Sequence, residues 1–455
     1  MWSILDLLRN NPGKIEWSQR RRNLETGVVQ EALNYDRLWR ESLRKLDELR
    51  HERNVISKEI PMLKGREKEA KIQEAKAVST RIEKEEKVVN EHKRLRDETL
   101  LGIPNVVHES VPVGRDEDDN VPIRYYGVPR VWKEQVDQFF DETRGFEVDY
   151  EAIDYQPIGH ADVGEKYGLT DVERAGKVVG TRFYYLMEDL VWLDLALTLY
   201  AIDYLVGQGF TLVEPPSMLR RKAYEGVTGF EDFKDVIYKI ENEDLYLIAT
   251  SEHPLAAMHM NEVIEKDTLP YTYAGVSPCY RKEAGAHGKD TKGIFRVHQF
   301  NKVEQFVYCL PQDSWTWIER LVENAEKLWQ GLELPYRIVN ICTGDLGRVA
   351  AKKYDLEVWM PAQGKYREVV SCSNCTDYQS VRLNIRYAKS KGAPTEGFVH
   401  TLNSTAIATT RAITAILENF QEEDGTILIP KVLQRYLEPF KNAPRKVILP
   451  GRKKP

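Results

Sequence analysis

The most chemically loaded stretch of the chain is residues 280–306, YRKEAGAHGKDTKGIFRVHQFNKVEQF. It reads as a strand, a loop rich in Gly and Lys, and a second strand. Arg281 and Glu283 stand two apart, so on a regular strand both project from one face. A guanidinium offers a fork of donors to phosphate, and a neighbouring carboxylate accepts from an amine. That is the pairing a phosphoanhydride beside an adenine amino group demands. Taken alone, the pair reads first as a surface ion pair. Neither GxxxxGK[ST] nor GxGxxG after a strand occurs in the chain, so a nucleotide would have to be held by side chains. Cys372 and Cys375 form a C-x-x-C, but no second ligand pair follows at zinc-site spacing and no thioredoxin-like setting surrounds it. The two read as structural thiols.

The elements that must position this segment are legible around it. A helix is expected at about 190–206, followed by a short strand TLVE and Pro215-Pro216. Strands are expected at 245–250, 271–283, 293–308, 366–371 and 398–403, with helices near 254–265, 313–330 and 408–420. Strands outnumber the helices between them, so the reading is α+β with an antiparallel sheet rather than a doubly wound fold. Residues 106–130 are rich in Pro, Gly and acid and read as a linker.

Ahead of that linker the pattern changes. Tyr35, Trp39, Leu43, Leu46, Leu49, Ile56 and Ile60 recur at helical steps through a charged stretch, and PMLKG at 61–65 interrupts them. Ile72, Ala75, Val78, Ile82, Val89 and Leu95 then repeat the seam until Gly102-Ile103-Pro104-Asn105. Two helices joined by so short a turn run antiparallel, as an arm on the order of 50 Å long. From these residues it is either a dimerisation coiled coil or a nucleic-acid-reading arm. Arg37, Arg40, Arg44, Arg50, Arg53, Arg81, Lys84, Lys87, Lys93, Arg94 and Arg96 either line a phosphate-facing side or form a solvated face paired with Glu.

At 455 residues, 42% of them hydrophobic, the chain holds two or three domains. The net charge of −6 excludes a generally basic nucleic-acid binder, but it is unevenly spread. The first 100 residues hold 23 Lys and Arg against 19 Asp and Glu, the remainder 42 against 52, which permits a local polyanion surface in the N-terminal part. No apolar run approaches the roughly 20 residues that span a bilayer, and MWSILDLLRNNP has no basic n-region or cleavage site. Together with five cysteines, an odd and small number, this points to a cytoplasmic protein with free thiols and no membrane partner.

Three ordered stretches resemble the signature motifs of class II aminoacyl-tRNA synthetases. They are the helix ending in GFTLVEPP (motif 1, about 189–216), Arg281-Lys282-Glu283 with FRVHQF (motif 2, about 271–308), and LNSTAIATTR (motif 3, about 398–420). Within that class the chain is most similar to seryl-tRNA synthetases, through ERNVISKEI, IPNVVHESVPVG, LIATSEHPL, HQFNKVEQF and EVVSCSNCTDYQSVR. The resemblance implies a tRNA-binding domain at 1–110, with a coiled-coil arm at about 25–100 that grips the long variable arm of serine tRNA. A class II catalytic domain would follow at 111–455, and the protein would be a homodimer.

The implied reaction joins L-serine to ATP as an adenylate, then moves serine to the 3′-terminal adenosine of tRNA(Ser); whether tRNA(Sec) is charged stays open. Roles follow by the same resemblance. Thr250, Ser251 and Glu252, with Glu304 and Thr405, would hold serine. Arg281 and Arg411 would steady the phosphates during catalysis. Lys282, Glu283, Phe295, Val297, Glu368, Val369, Val370 and Ser371 would complete the ATP site, with Glu368 and Ser371 meeting Mg²⁺. No structural zinc is expected.

The chain departs from the family in motif 3, where Ser404, Ala406 and Thr410 occupy positions usually held by glycines. Strict alternation also puts Glu304 on the opposite strand face from Phe295, which requires a bulge or Phe295 in the loop. Ile158-Gly159-His160 and Lys389-Ser390-Lys391 echo fragments of the class I signatures, both incomplete. The competing readings are a non-catalytic RNA-binding paralogue, a structural coiled-coil protein, and a class II synthetase for another amino acid.

Overall fold

A computed structural model describes residues 3–229, 234–283, 290 and 292–451. The chain divides into two compact units, Met1–Val106 and Val107–Pro455.

In the first unit, α1 (Ser3–Asn10) and α2 (Pro12–Arg21) precede the long helices α3 (Gly27–Glu59) and α4 (Gly65–Gly102). Ile4, Leu8 and Ile15 close with Val29, Ala32, Leu100 and Ile103 into a small core at the base. Further out, Leu46, Leu49 and Ile56 pack against Val78, Ile82 and Val89 along the expected seam. Near the base the seam becomes polar. Asp36 and Arg96 are buried there, whereas the expected Tyr35 and Leu95 are half-exposed. The cause is a cluster of charge: Arg9, Arg40 and Arg96 converge on Asp36 at 2.7, 3.0 and 3.5 Å. Although burial raises the Asp36 carboxyl, these guanidinium groups hold it below its usual range.

The second unit is built on an eight-stranded sheet. In chain order its strands are β1 (Val121–Tyr126), β2 (Thr211–Val213), β3 (Tyr271–Tyr280), β4 (Gln299–Cys309), β5 (Tyr336–Asn340), β6 (Lys352–Met360), β7 (Lys365–Thr376) and β8 (His400–Ala408). Their order in the sheet is β1-β5-β6-β7-β8-β4-β3-β2. Every pairing is antiparallel except β2 with β3. Helices α5 (His160–Lys166), α6 (Asp189–Gly207), α7 (Glu252–Ala257), α8 (Ser314–Gly331) and α9 (Thr409–Asn419) are the ones that bear on the site.

Several expectations need correction. β3 stops at Tyr280 and Glu283 has φ +50°, so Arg281 and Glu283 do not share a strand face. β4 starts at Gln299, which leaves Phe295 in the preceding loop and removes the alternation conflict with Glu304. The presumed linker contains β1, an edge strand of the main sheet paired with β5. The statement that no apolar run nears membrane-spanning length fails for α6, which is long and apolar enough to pass that test. Its composition has a local reason: Leu190, Leu193, Leu197, Ala201 and Leu205 lie in the main core, while Val191, Leu195, Leu199 and Val206 form an exposed apolar stripe. Asp194 in its middle is buried and accepts from Asn301 Nδ2 at 3.0 Å, which ties the helix to β4.

Candidate active site

A cavity of about 700 Å³ lies over the centre of the sheet. Two irregularities shape it. Opposite β4, the register passes from Val303–Ile407 to Glu304–Thr405, so Ala406 is the bulged residue. Ala406 is fully buried and its carbonyl accepts from Trp329 Nε1 at 3.3 Å, so the extra residue points into the core while Glu304 and Thr405 meet. On β7, Val369 is skipped between the Glu357–Glu368 and Leu356–Val370 pairs. That bulge lets Glu368 and Ser371, three apart, both reach the cavity.

One end of the cavity is acidic and rich in hydroxyls. Glu304 and Lys302 form a buried ion pair, and Lys302 Nζ also donates to Thr250 Oγ1 at 2.6 Å. The Thr250 hydroxyl accepts from the Glu252 backbone N–H at 3.1 Å at the start of α7. Gln379 Nε2 donates to Glu252 Oε1 at 3.0 Å, and is itself held by Thr401 and the Val227 carbonyl. Burial, reinforced by Glu304, pushes the Glu252 carboxyl up to about 7. His253 is driven down to about 3 by burial and by Lys302 and Arg281, so its imidazole is neutral.

The other end is cationic. Arg281 Nε donates to the Ala249 carbonyl at 3.2 Å and its guanidinium lies 5.2 Å from the Phe300 ring centre. Arg411, in the first turn of α9, pairs with Glu368 at 3.0 Å. Burial raises the Glu368 carboxyl, but Arg411, Lys353 and Arg281 outweigh it and hold the group below its usual range. The Phe295 ring lies beside two guanidinium groups, Arg367 at 4.2 Å and Arg411 at 5.3 Å.

Of the residues singled out from sequence, Thr250, Glu252, Arg281, Glu304, Glu368, Val369, Ser371, Thr405 and Arg411 line this one cavity. Ser251 and Val370 are buried behind it, Ser251 against Gly275 and Val370 in the main core. Val297 is likewise in the core. Lys282 lies over the Tyr238 ring, and Glu283 pairs with Arg296 at 2.9 Å, both outside the lining. The rest of the motif 2 loop, residues 284–289 and 291, lies outside the described residues. Ser404 and Ala406 face away from the cavity, whereas Asn403 and Thr405 face into it. The small residues of motif 3 therefore serve packing here.

Sequence reasoning missed Lys302, His253, Lys353, Asn403 and Arg348 as lining residues. Lys302 had a visible signal, since it stands two positions before Glu304 on the same strand. The fragment at residues 158–160 also has a structural role. His160 Nδ1 lies 2.9 Å from Glu418 at the end of α9, and a Cβ at Gly293 would meet His160 Nε2 at 2.2 Å, so Gly293 packs directly against this pair. Cys372 and Cys375 are both buried with thiols raised by burial, Cys372 near the Ile318 carbonyl and Cys375 near Asn403.

An acidic, hydroxyl-bearing end beside two arginines and a carboxylate suits an amino acid placed next to a polyphosphate. Comparisons with known proteins agree in both units. The seryl-tRNA synthetase N-terminal domain profile matches residues 5–107, and that of the class II tRNA synthetase core domain (G, H, P, S and T) matches 235–420. The chain is 62% identical to the serine–tRNA ligase of Archaeoglobus fulgidus, over 99% of this chain and 100% of that one. The crystal structure of seryl-tRNA synthetase from Pyrococcus horikoshii complexed with ATP superposes with a TM-score of 0.92 at 54% identity, covering 98% and 99% of the two chains. That of the cytoplasmic serine–tRNA ligase from Naegleria fowleri in complex with AMP gives 0.83 at 40% identity, over 94% of each. With full-length identity at this level and both domain profiles in order, the chain belongs to the seryl-tRNA synthetase family.

Proposed function

We propose that the chain is a serine–tRNA ligase, activating L-serine with ATP to seryl-adenylate and pyrophosphate and then transferring serine to the 3′ end of tRNA(Ser). The observation that carries this reading is the single cavity whose acidic end holds Glu252, Glu304, Thr250 and Thr405 and whose cationic end holds Arg281 and Arg411. Serine bound at the first end presents its carboxylate to the α-phosphate of ATP at the second. Arg281 faces both reactants and stabilises the charge that grows as the carboxylate oxygen attacks and pyrophosphate leaves. Arg411 holds the distal phosphates, and adenine enters beside Phe295, where Arg367 and Arg411 already flank the ring. The complete polar set speaks for catalysis over a binding-only paralogue.

Glu368 and Ser371 would hold Mg²⁺, and the donor set fits a hard cation. Asp355 lies opposite Ser371 in register, and among the described residues its buried Oδ1 has no hydrogen-bond partner. Among the described residues no cluster of three His, Cys, Asp or Glu stands ready for a metal, which suits an ion that arrives with phosphate oxygens. Such an ion supplies charge neutralisation at the phosphates.

A homodimer is supported by α6, whose exposed Val191, Leu195, Leu199 and Val206 make a stripe suited to a second copy. The helical hairpin is the tRNA-binding arm, and the five buried cysteine thiols fit residence in the cytoplasm. ATP–pyrophosphate exchange against the twenty amino acids tests the reading. Exchange with serine alone is expected, and Arg281→Ala is expected to lower it by about 10²-fold or more. Exchange with a different amino acid would overturn the substrate.

A further inference from the structure

Lys302 is the ammonium group inside the acidic end of the cavity. It stands two residues before Glu304 on β4, so both project from the same face, and they are only 6% and 1% exposed. A buried lysine is costly unless it is paired. Here Nζ donates to Thr250 Oγ1 at 2.6 Å and pairs with Glu304. These contacts have a directional consequence. Thr250 Oγ1 accepts from Lys302 and from the Glu252 backbone N–H, which occupies both of its lone pairs. Its own hydrogen is therefore free to be donated. Glu304 also receives the Thr405 hydroxyl, so it is held from two sides while keeping acceptor capacity for a further donor.

The charges in the pocket then decide which acid does what. Glu252 and Glu304 bring two carboxylates, and Lys302 compensates one of them. A substrate ammonium placed at Glu304 would stand against the lysine ammonium, whereas Glu252 is held by the neutral amide of Gln379 and, among the described residues, Lys302 and Arg281 act on it only through space and not as ion-pair partners. We propose that Lys302 is a positioning residue for substrate choice: it fixes Glu304 as the acceptor for the substrate's side-chain hydroxyl and leaves Glu252 to receive the substrate's ammonium. This rests on the serine-activating reading. It explains how a site can prefer serine to alanine, since without a hydroxyl the oriented, buried Glu304 oxygen is left unmatched.

The test is pyrophosphate exchange with serine and with alanine for the wild type, Lys302→Met, Glu304→Gln and the double variant. Lys302→Met is expected to raise the serine KM at least about tenfold, the loss of a charged hydrogen bond, with the ATP KM unchanged. The serine-to-alanine preference should fall with it. A lone buried carboxylate could unfold that variant, so the double variant, which removes both charges, carries the decision. If Lys302 acts through Glu304, adding Lys302→Met to Glu304→Gln leaves the serine-to-alanine ratio where Glu304→Gln alone put it. A further drop in that ratio as large as the one seen in the wild-type background would show independent roles and overturn the proposal. Failure of the wild type to exchange with serine would instead remove the functional reading beneath it.

Discussion

Glu252 and Glu304 share a pocket but differ in partners, and the difference has a pH signature. Burial and Glu304 push Glu252 up to about 7, against the opposing pull of Lys302, Gln379 and Arg281. Because the folded value lies above the ordinary 4.5, the empty protein holds this proton more tightly than the unfolded chain does, and the group costs stability as pH rises through that window. Substrate ammonium favours the ionised form, so its binding must expel the proton. The serine KM is therefore expected to rise as pH falls below about 7, by up to about tenfold per unit, while the ATP KM stays level. Glu252→Gln should flatten the serine profile. A wild-type serine KM that does not change between about pH 5.5 and 8 would rule this assignment out. Much of the site could be read from residue order, because Arg281, Glu304, Glu368, Thr405 and Arg411 sit inside recognisable strings. Lys302, two positions before Glu304, was overlooked, and Asn403 was harder to see. Its type says little until the bulge at Ala406 turns one strand face into a pocket wall.

At the scale of elements, hydrophobic periodicity placed most of the helices around the site and most strands of the main sheet, but not all of their ends. Arg281 continues the pairing through its backbone N–H to the His298 carbonyl at 2.9 Å, yet Glu283 turns out into a left-handed conformation to meet Arg296. A strand reading carried to residue 283 could not detect that turn. β1 was hidden for another reason: it is a mostly exposed sheet edge with an irregular register, and its acidic, Pro-containing surroundings read as linker. Helix α6 was placed correctly, but its two apolar faces have different uses. One packs in the core, and the other is exposed. Leu199 is 43% exposed, so Leu199→Glu should fold with little loss of stability. Placed in a two-fold interface the substitution occurs twice, and the expected outcome is a monomer by sedimentation. An unchanged mass for that variant would move the interface away from this helix.

For the molecule as a whole, the helical hairpin was legible because an apolar seam recurs at helical steps on both sides of its turn, but the seam alone could not say what the arm contacts. Its ion pairs do not settle that either. Arg37, Arg44, Arg50, Arg81, Lys93 and Arg94 all have carboxylate partners, mostly on exposed flanks where such pairs contribute little. Those side chains can exchange a carboxylate for a phosphate at small cost, so a paired surface and a tRNA-reading surface are compatible. Excising the arm tests this, provided the cut spares the base. The Asp36 cluster with Arg9, Arg40 and Arg96 and the small core around Leu8 and Val29 must remain. Ser42 and His92 face each other across the two helices at 3.2 Å, so removing residues 43–91 and bridging with a short glycine turn joins them at matched height. The residues that line the candidate site all lie in the other unit, so pyrophosphate exchange with serine should stay near the full-length rate. Charging of tRNA should fall by orders of magnitude, as losing a set of phosphate contacts lowers affinity that steeply. In the intact protein the same charging should weaken as salt rises, whereas exchange should not. Full charging by the excised protein would return the arm to the structural coiled coil that its sequence equally allowed.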